Sequence, residues 1–339
     1  MNARSENRHS DKHLPYLDGW RGIAIICVLC GHFTSIGALG GIGVSVFFVL
    51  SGLLMSRILF VERTPLHLFY RRRFARIVPV FWLYLSVVFF GGWLFLDQFS
   101  LTEFLSTALF LRSYFPDTSI DKSSVPIGHI WSLNVEEHCY ILLSLLSLLA
   151  IRFGEASARI VLSICAAMCV VFFVFYKYYP PVAQTPFNMR TEVAAFPLLF
   201  SCSLFLWARK YQFKVPSAVP LISFLGAFGI AFFATSFFAK IVGTAVLLAV
   251  SVNTLAVAPP WALALLSNSL LRWFGVCSYS IYLWHEIFYF FQPHTTAWPY
   301  YGIFAVGSTL LIASGSFYFF ENPLRKRLSG RPDSVRNVS

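Results

Sequence analysis

Runs of roughly twenty apolar residues recur along this chain of 339 residues, and runs of that length leave few folds open. Such a run, coiled at about 1.5 Å per residue, matches the hydrocarbon core of a bilayer, roughly 30 Å thick. In lipid every backbone N–H and C=O must be satisfied within the structure, and a helix does this inside one segment. Ten stretches qualify, at 19–38, 42–60, 78–96, 136–152, 158–176, 191–208, 217–237, 241–258, 274–292 and 302–320; little more than Lys240 parts the seventh from the eighth. The expected fold class is all-α: a polytopic integral membrane protein of about ten transmembrane helices. Composition supports this, with 57% hydrophobic and only 12% charged residues, and 37 Phe spread over many segments rather than one core.

Basic residues set the expected orientation. With the N-terminus inside, the only Lys and Arg left outside are Arg112, Lys122, Lys177, Arg190 and Lys240, out of 26 in all. That asymmetry predicts cytoplasmic N- and C-termini. The formal net charge of +11 is then mainly topological, and its alternation with membrane spans argues against a nucleic-acid partner. The expected organisation is a cytoplasmic tail (1–17), a membrane domain (18–327) and a second tail (328–339). The polar N-terminus lacks a signal-peptide pattern, so the first span is expected in the mature protein. The seven cysteines show neither a disulfide framework nor zinc spacing, and no metal site is expected. One long outer segment, about 97–135, could begin with a short amphipathic helix at the membrane surface.

Polar residues inside the spans are the candidates for function. Arg21 and His32 bracket ten almost wholly apolar residues. Eleven positions amount to about three turns plus 20°, so both side chains leave one helix face, about 16 Å apart along the axis. Arg21 alone reads as a positive-inside anchor; His32 reads as either a packing hydrogen bond or a reactive group. In the stretch 128–143, Glu136 and Glu137 follow Trp131, Ser132 and Asn134 at the expected outer end of the fourth span. Two adjacent carboxylates point in different directions, so one can enter the bundle while the other faces headgroups. They are expected at a depth similar to His32, where a carboxylate could orient the imidazole. In the ninth span, Tyr279, Tyr282 and Trp284 surround His285 and Glu286, which could either lock two helices or take part in chemistry. Arg71, Arg72, Arg73 and Arg76 crowd the inner face; on spacing alone they are topology determinants, although guanidinium forks also match phosphate. "FFENPLRKR" at 319–327 reads as a helix stop with a basic anchor.

Taken in order, "LDGWRGIAIICVLCGH", "GVSVFFVLSGLLMSRIL", "FYRRRFARIVP", "GHIWSLNVEEHCYILL", "SYSIYLWH" and "ENPLRKR" resemble the membrane-bound acyltransferase-3 family over about residues 15–327. The resemblance implies transfer of an acyl group, usually acetyl from acetyl-CoA, to a hydroxyl of a surface or exported carbohydrate. Lipopolysaccharide O-antigen, exopolysaccharide, peptidoglycan and lipid-linked glycans are acceptors in the family. The implied setting is the bacterial inner membrane, with acyl-CoA as co-substrate rather than a resident cofactor. By motif, His32 corresponds to the family's essential histidine and Arg21 to its paired basic residue. Glu136 and Glu137 match its acidic pair, and Arg71, Arg72 and Arg73 its coenzyme-associated segment. Trp131, Ser132, Asn134, Tyr282 and His285 are possible acceptor or supporting residues. Cys139 stands where the family usually has an aromatic, Leu53 replaces a typical Phe, and Glu286 is not an expected feature. Some family members carry an extra soluble esterase-like domain, which is not expected within these 339 residues.

The expected mechanism has His32 taking the acceptor's proton or briefly carrying the acyl group, Glu136 or Glu137 stabilising the imidazolium, and Arg21 holding the donor. The main rival is a proton-coupled small-molecule transporter, which would favour paired repeats that this sequence does not display. A non-catalytic membrane scaffold would leave the Arg21–His32 alignment as coincidence.

Overall fold

The computed structural model describes residues 14–115, 119–181, 185–292 and 300–329, so 1–13 and 330–339, most of the two expected tails, lie outside the described residues. The described chain is all helix and connection. In order the α-helices are α1 (Pro15–Phe33), α2 (Ala38–Ser56), α3 (Leu66–Leu96), α4 (Leu101–Ala108), α5 (Trp131–Phe153), α6 (Glu155–Tyr178), α7 (Thr191–Ala194) and α8 (Phe196–Tyr211). There follow α9 (Val219–Phe233), α10 (Thr244–Thr254), α11 (Pro260–Leu266), α12 (Ser269–Val276), α13 (Ser278–Phe290), α14 (Tyr301–Gly315) and α15 (Asn322–Ser329). Seven helical segments are long and apolar enough to cross a membrane: Ala38–Val61, Leu66–Leu96, Gly128–Phe153, Glu155–Tyr178, Thr191–Tyr211, Ala239–Val257 and Tyr301–Ser329. Large side chains stay bare on their outer faces, with Phe95 81%, Leu311 76% and Phe319 87% exposed, as lipid-facing residues should be. The chain is an all-α polytopic membrane protein.

Each of the ten apolar stretches contains a helix, but their ends differ from expectation in ways that matter. α5 begins at Trp131, preceded by a 3₁₀ turn at Gly128–Ile130, so Glu136 and Glu137 lie in its second turn rather than at its mouth. "FFENPLRKR" does not stop a helix: a π turn (Ser316–Glu321) passes straight into α15, and Pro323, which has no N–H to donate, follows that turn as the second residue of α15. Two more π turns, Arg57–Val61 and Ala239–Gly243, extend α2 and open α10.

The long segment after α3 folds over one end of the bundle. α4 is amphipathic, but reversed: Glu103, Ser106 and Thr107 are buried while Leu101 and Leu105 are exposed. Arg112, fully buried, explains the reversal. Its Nη2 donates to Glu103 Oε1 at 2.6 Å and to Ser123 Oγ at 2.8 Å. Beyond it Ile120, Val125, Ile127 and Ile130 are buried, and Tyr84 of α3 donates to the Pro126 carbonyl.

α1 is the central strut, packed against α2, α12 and α13. At its far end it meets α2 almost backbone to backbone: a Cβ on Gly31 would lie 2.1 Å from the Gly40 nitrogen. Only glycine permits this crossing, and it carries His32 one residue later.

Candidate active site

A cavity opens between α1, α2, α3, α5 and α13, enclosing with its mouth about 740 Å³ of space unfilled by atoms. Three guanidinium groups, from Arg21, Arg73 and Arg76, line it together with the Glu136 carboxylate. Each is held by a neighbouring side chain. Arg21 Nη1 is 3.3 Å from Asp18 Oδ1 in its own helix. Arg73 lies over the Tyr140 ring, 4.0 Å from the centroid, with Nη2 2.9 Å from Met55 Sδ. Arg76 interacts with Glu321, which is buried and accepts from Ser280 Oγ at 2.6 Å. Glu136 accepts from Ser51 Oγ at 2.6 Å. The remaining wall is mostly apolar, the usual composition of a ligand pocket with a few convergent polar groups.

Tyr282 lines this cavity on the side nearest the histidines. Its hydroxyl meets Ser132 Oγ at 2.7 Å and donates to the His129 carbonyl at 3.0 Å. Its ring centroid is 5.1 Å from that of His129 and 5.4 Å from that of His285. Beyond Tyr282 lies a second polar cluster of His32, His129, His285 and Glu286. His32 Nδ1 and His285 Nε2 are 2.8 Å apart, and His285 Nδ1 donates to the Tyr282 carbonyl at 2.6 Å. Tyr289 stacks on His32 with centroids 4.3 Å apart. Glu286 accepts from the backbone N–H groups of Gly128 and His129. Gly128 makes room for it: a Cβ there would lie 2.8 Å from Glu286 Oε1.

Helical periodicity explains this two-storey arrangement. Ser278, Tyr282, His285 and Tyr289 are spaced by four, three and four residues and so share one stripe of α13. Arg21 and His32 share one face of α1, and that face is turned toward the α13 stripe: Arg21 lines the cavity with Ser278 and Tyr282, and His32 bonds His285. α1 and α13 therefore run parallel. On α5, Ser132 meets Tyr282 while Glu136 lies one turn deeper in the cavity, so α5 runs antiparallel to α13.

The family model described as an acyltransferase domain matches residues 14–317. The chain belongs to that acyltransferase family. Among curated relatives, the peptidoglycan O-acetyltransferase OatA of Listeria monocytogenes is 28% identical over 94% of this chain and 57% of its own length. The O-acetyltransferase OatA of Staphylococcus aureus is 28% identical over 96% of this chain and 59% of its own length. The putative peptidoglycan O-acetyltransferase YrhL of Bacillus subtilis is 27% identical, over 93% and 55%. The chain thus spans somewhat over half the length of these relatives. No solved structure matches it significantly.

Within this acyltransferase domain the residues singled out in the sequence separate into three groups. Arg21, Arg73, Glu136, Ser132 and Tyr282 line the cavity, and His32 and His285 form the hydrogen-bonded pair beyond it. Arg71, Arg72, Trp131, Asn134 and Glu137 do neither. Arg71 is exposed and donates to the Leu328 carbonyl of α15, and Arg72 is exposed. Trp131 packs edge-to-face on Phe48, and the Asn134 amide is 3.1 Å from Ser113 Oγ. Glu137 is turned inward rather than to headgroups, its Oε1 buried without a hydrogen-bond partner among the described residues. Glu136 and Glu137 are not at the His32 ring, because the earlier start of α5 draws them a turn and more inward from His129.

Residues not assigned a site role from sequence complete the picture. Arg76, Tyr140 and Ser51 complete the cavity, Glu321 stands behind it, and His129 and Glu286 join the histidine cluster. Arg76 lies one helical turn from both Arg72 and Arg73, so periodicity alone could not say which of the two shares its destination. The donor atoms of His32, His285 and Glu286 lie within 4.8 Å of one another, a spacing that invites comparison with a metal site. The direct hydrogen bond between the two rings, however, already uses the lone pair that an ion would need there.

Proposed function

We propose that this chain is a membrane O-acyltransferase that moves an acyl group, acetyl by default, from cytoplasmic acyl-CoA to a hydroxyl of an exported or surface carbohydrate. The observation that carries this reading is a cavity lined by three arginines, lying directly beneath a paired histidine on the same α1–α13 face. Guanidinium groups suit the phosphates of a coenzyme thioester, and a histidine suits the proton transfer that acylation requires. The relatives named as peptidoglycan O-acetyltransferases support a bacterial envelope glycan as acceptor.

Ten crossings with both termini cytoplasmic fit this division of labour, the membrane unit being residues 18–327 between two short tails. α1 has 19 residues, and α12 with α13 runs from Ser269 to Phe290, which supports crossings beyond the seven long apolar segments. Arg21, Arg73 and Arg76 then face the side where coenzyme A is made, and His32 faces the side where the glycan is. The donor's arm reaches past Tyr282. The acceptor oxygen attacks the thioester carbonyl, its proton passes to His32 Nε2, the C–S bond breaks, and the sulfur leaves with that proton. Glu136 acts from the cavity wall, one or more turns from the imidazole, rather than on the ring itself.

Purified protein in lipid nanodiscs, given acetyl-CoA labelled in the acetyl group, should release free thiol and transfer label to a glycan extract. His32→Ala protein that inserts normally should lose transfer by a factor of about 10²–10⁴. Wild-type rates from that variant would remove His32 from the chemistry, and no thioester loss with any glycan would remove the enzyme reading. Mass spectrometry of envelope glycans with and without the protein identifies the acceptor by a lost acetyl-sized increment.

A further inference from the structure

The geometry points to His285 as the residue that holds His32 in its Nδ1–H tautomer, leaving the lone pair on Nε2. A neutral imidazole carries one N–H and one lone pair, and which nitrogen has which is set by its partners. The reasoning runs from the backbone outward. The carbonyl of Tyr282 can only accept, so the 2.6 Å contact with His285 Nδ1 puts the His285 proton on Nδ1. His285 Nε2 is then an acceptor. Its neighbours are His32 Nδ1 at 2.8 Å and Glu286 Oε2 at 3.9 Å, and only the first is within hydrogen-bond distance. His32 Nδ1 must therefore donate, and His32 Nε2 bears the lone pair.

The surroundings make this arrangement rigid. His285 is fully buried, and its ring is packed by Tyr282 and, edge-on, by His129 and Phe33. The planes of the two bonded rings are nearly parallel, inclined by 11°. On the other side, His32 Nε2 has no hydrogen-bond partner among the described residues. It faces the bare Cα of Gly40, where even an added Cβ would stand 3.7 Å away. The unprotonated nitrogen is thus the accessible one, on a residue that is itself partly exposed. When Nε2 takes the acceptor's proton, the imidazolium keeps its Nδ1–H on His285, and the Nε2 proton then goes to the departing sulfur. His285 touches neither reactant; it is a positioning residue, and its kinetic part rests on the acyl-transfer reading of His32.

Ring ¹⁵N spectra of histidine-labelled protein in nanodiscs test the assignment without any turnover. The His32 signals are identified by their loss in His32→Gln. Wild-type protein is expected to show His32 protonated at Nδ1 and bare at Nε2; the opposite tautomer overturns the proposal whatever the enzyme's activity. In His285→Leu the Nδ1–H form should give way to the Nε2–H form, with kcat for acetyl transfer lowered on the order of 100-fold and KM for acetyl-CoA within about twofold. His285→Gln, whose side-chain oxygen can still accept from His32 Nδ1, should recover much of both the tautomer and kcat. A His285→Leu kcat within about twofold of wild type, or a Gln variant no better than Leu, counts against positioning. If His32→Ala itself keeps full activity, the acyl-transfer reading fails while the spectra still decide the tautomer.

Discussion

Arg71, Arg72 and Arg73 are chemically alike and consecutive, yet only Arg73 reaches the cavity. Consecutive residues leave a helix about 100° apart, so three neighbours cannot share one destination. Arg73→Ala should weaken acyl-CoA binding about tenfold or more, the loss expected of one charge-assisted contact of roughly 1.5–3 kcal/mol. Arg72→Ala should stay within about twofold, and calorimetric titration of coenzyme A into both variants compares them. Arg112 illustrates a different risk. Its buried bond to Glu103 leaves a carboxylate stranded if the arginine is removed. Arg112→Met should lower stability by about 3–5 kcal/mol, measurable by thermal unfolding in detergent, whereas the exposed pair Arg63–Glu155 should contribute about 1 kcal/mol or less. The sequence made both Arg21 and His32 conspicuous because ionisable groups are rare in apolar runs. It did not mark His129, since a histidine two residues before a tryptophan at a helix mouth looks like interfacial trim until the fold buries it against Tyr84 and Tyr282.

Helix ends account for most of what could not be read ahead. The apolar run begins near 136, but the helix begins at Trp131, because Ser132 and Asn134 find partners on neighbouring segments and need no water. That five-residue difference moved Glu136 from the histidine to the arginines. The π turn before α15 hides in a similar way: hydropathy falls at Glu321, yet Ser280 satisfies the carboxylate and the helix continues. Ser280→Ala should leave Glu321 buried without that donor and cost about 1–3 kcal/mol, with a matching loss in thermal midpoint. The α1–α2 crossing is more demanding. Gly31→Ala should destabilise by about 1–3 kcal/mol and displace His32, because the obstructing atoms belong to the Gly40 backbone and cannot swing away. Gly41→Ala, with open space around its Cβ, should behave as wild type in the same melt. Small residues at a close helix crossing are a general membrane habit, legible only as a composition until the partner helix is known.

The all-α polytopic class was legible from hydropathy alone, because lipid imposes one solution on the backbone. The division into a basic cavity and a histidine cluster was not, since it depends on which helices lie side by side. Parallel α1 and α13 require an odd number of crossings between them, which agrees with their places as first and ninth of the ten spans proposed from the distribution of Lys and Arg. Ser35→Cys, in the exposed link after α1, should react with a membrane-impermeant maleimide on intact cells. His67→Cys, exposed at the start of α3, should react only after permeabilisation; the reverse pattern inverts the proposed topology. The native cysteines are buried or half-buried, so background labelling should be low.

The two rings that meet at 2.8 Å stand 253 residues apart in the chain. A ribosome must therefore thread nearly the whole protein into the translocon before they can pair. Until then the nascent polypeptide carries Arg21, Arg73, Arg76 and His32 but not the imidazole that His32 bonds, so that pairing is among the late contacts the chain can make.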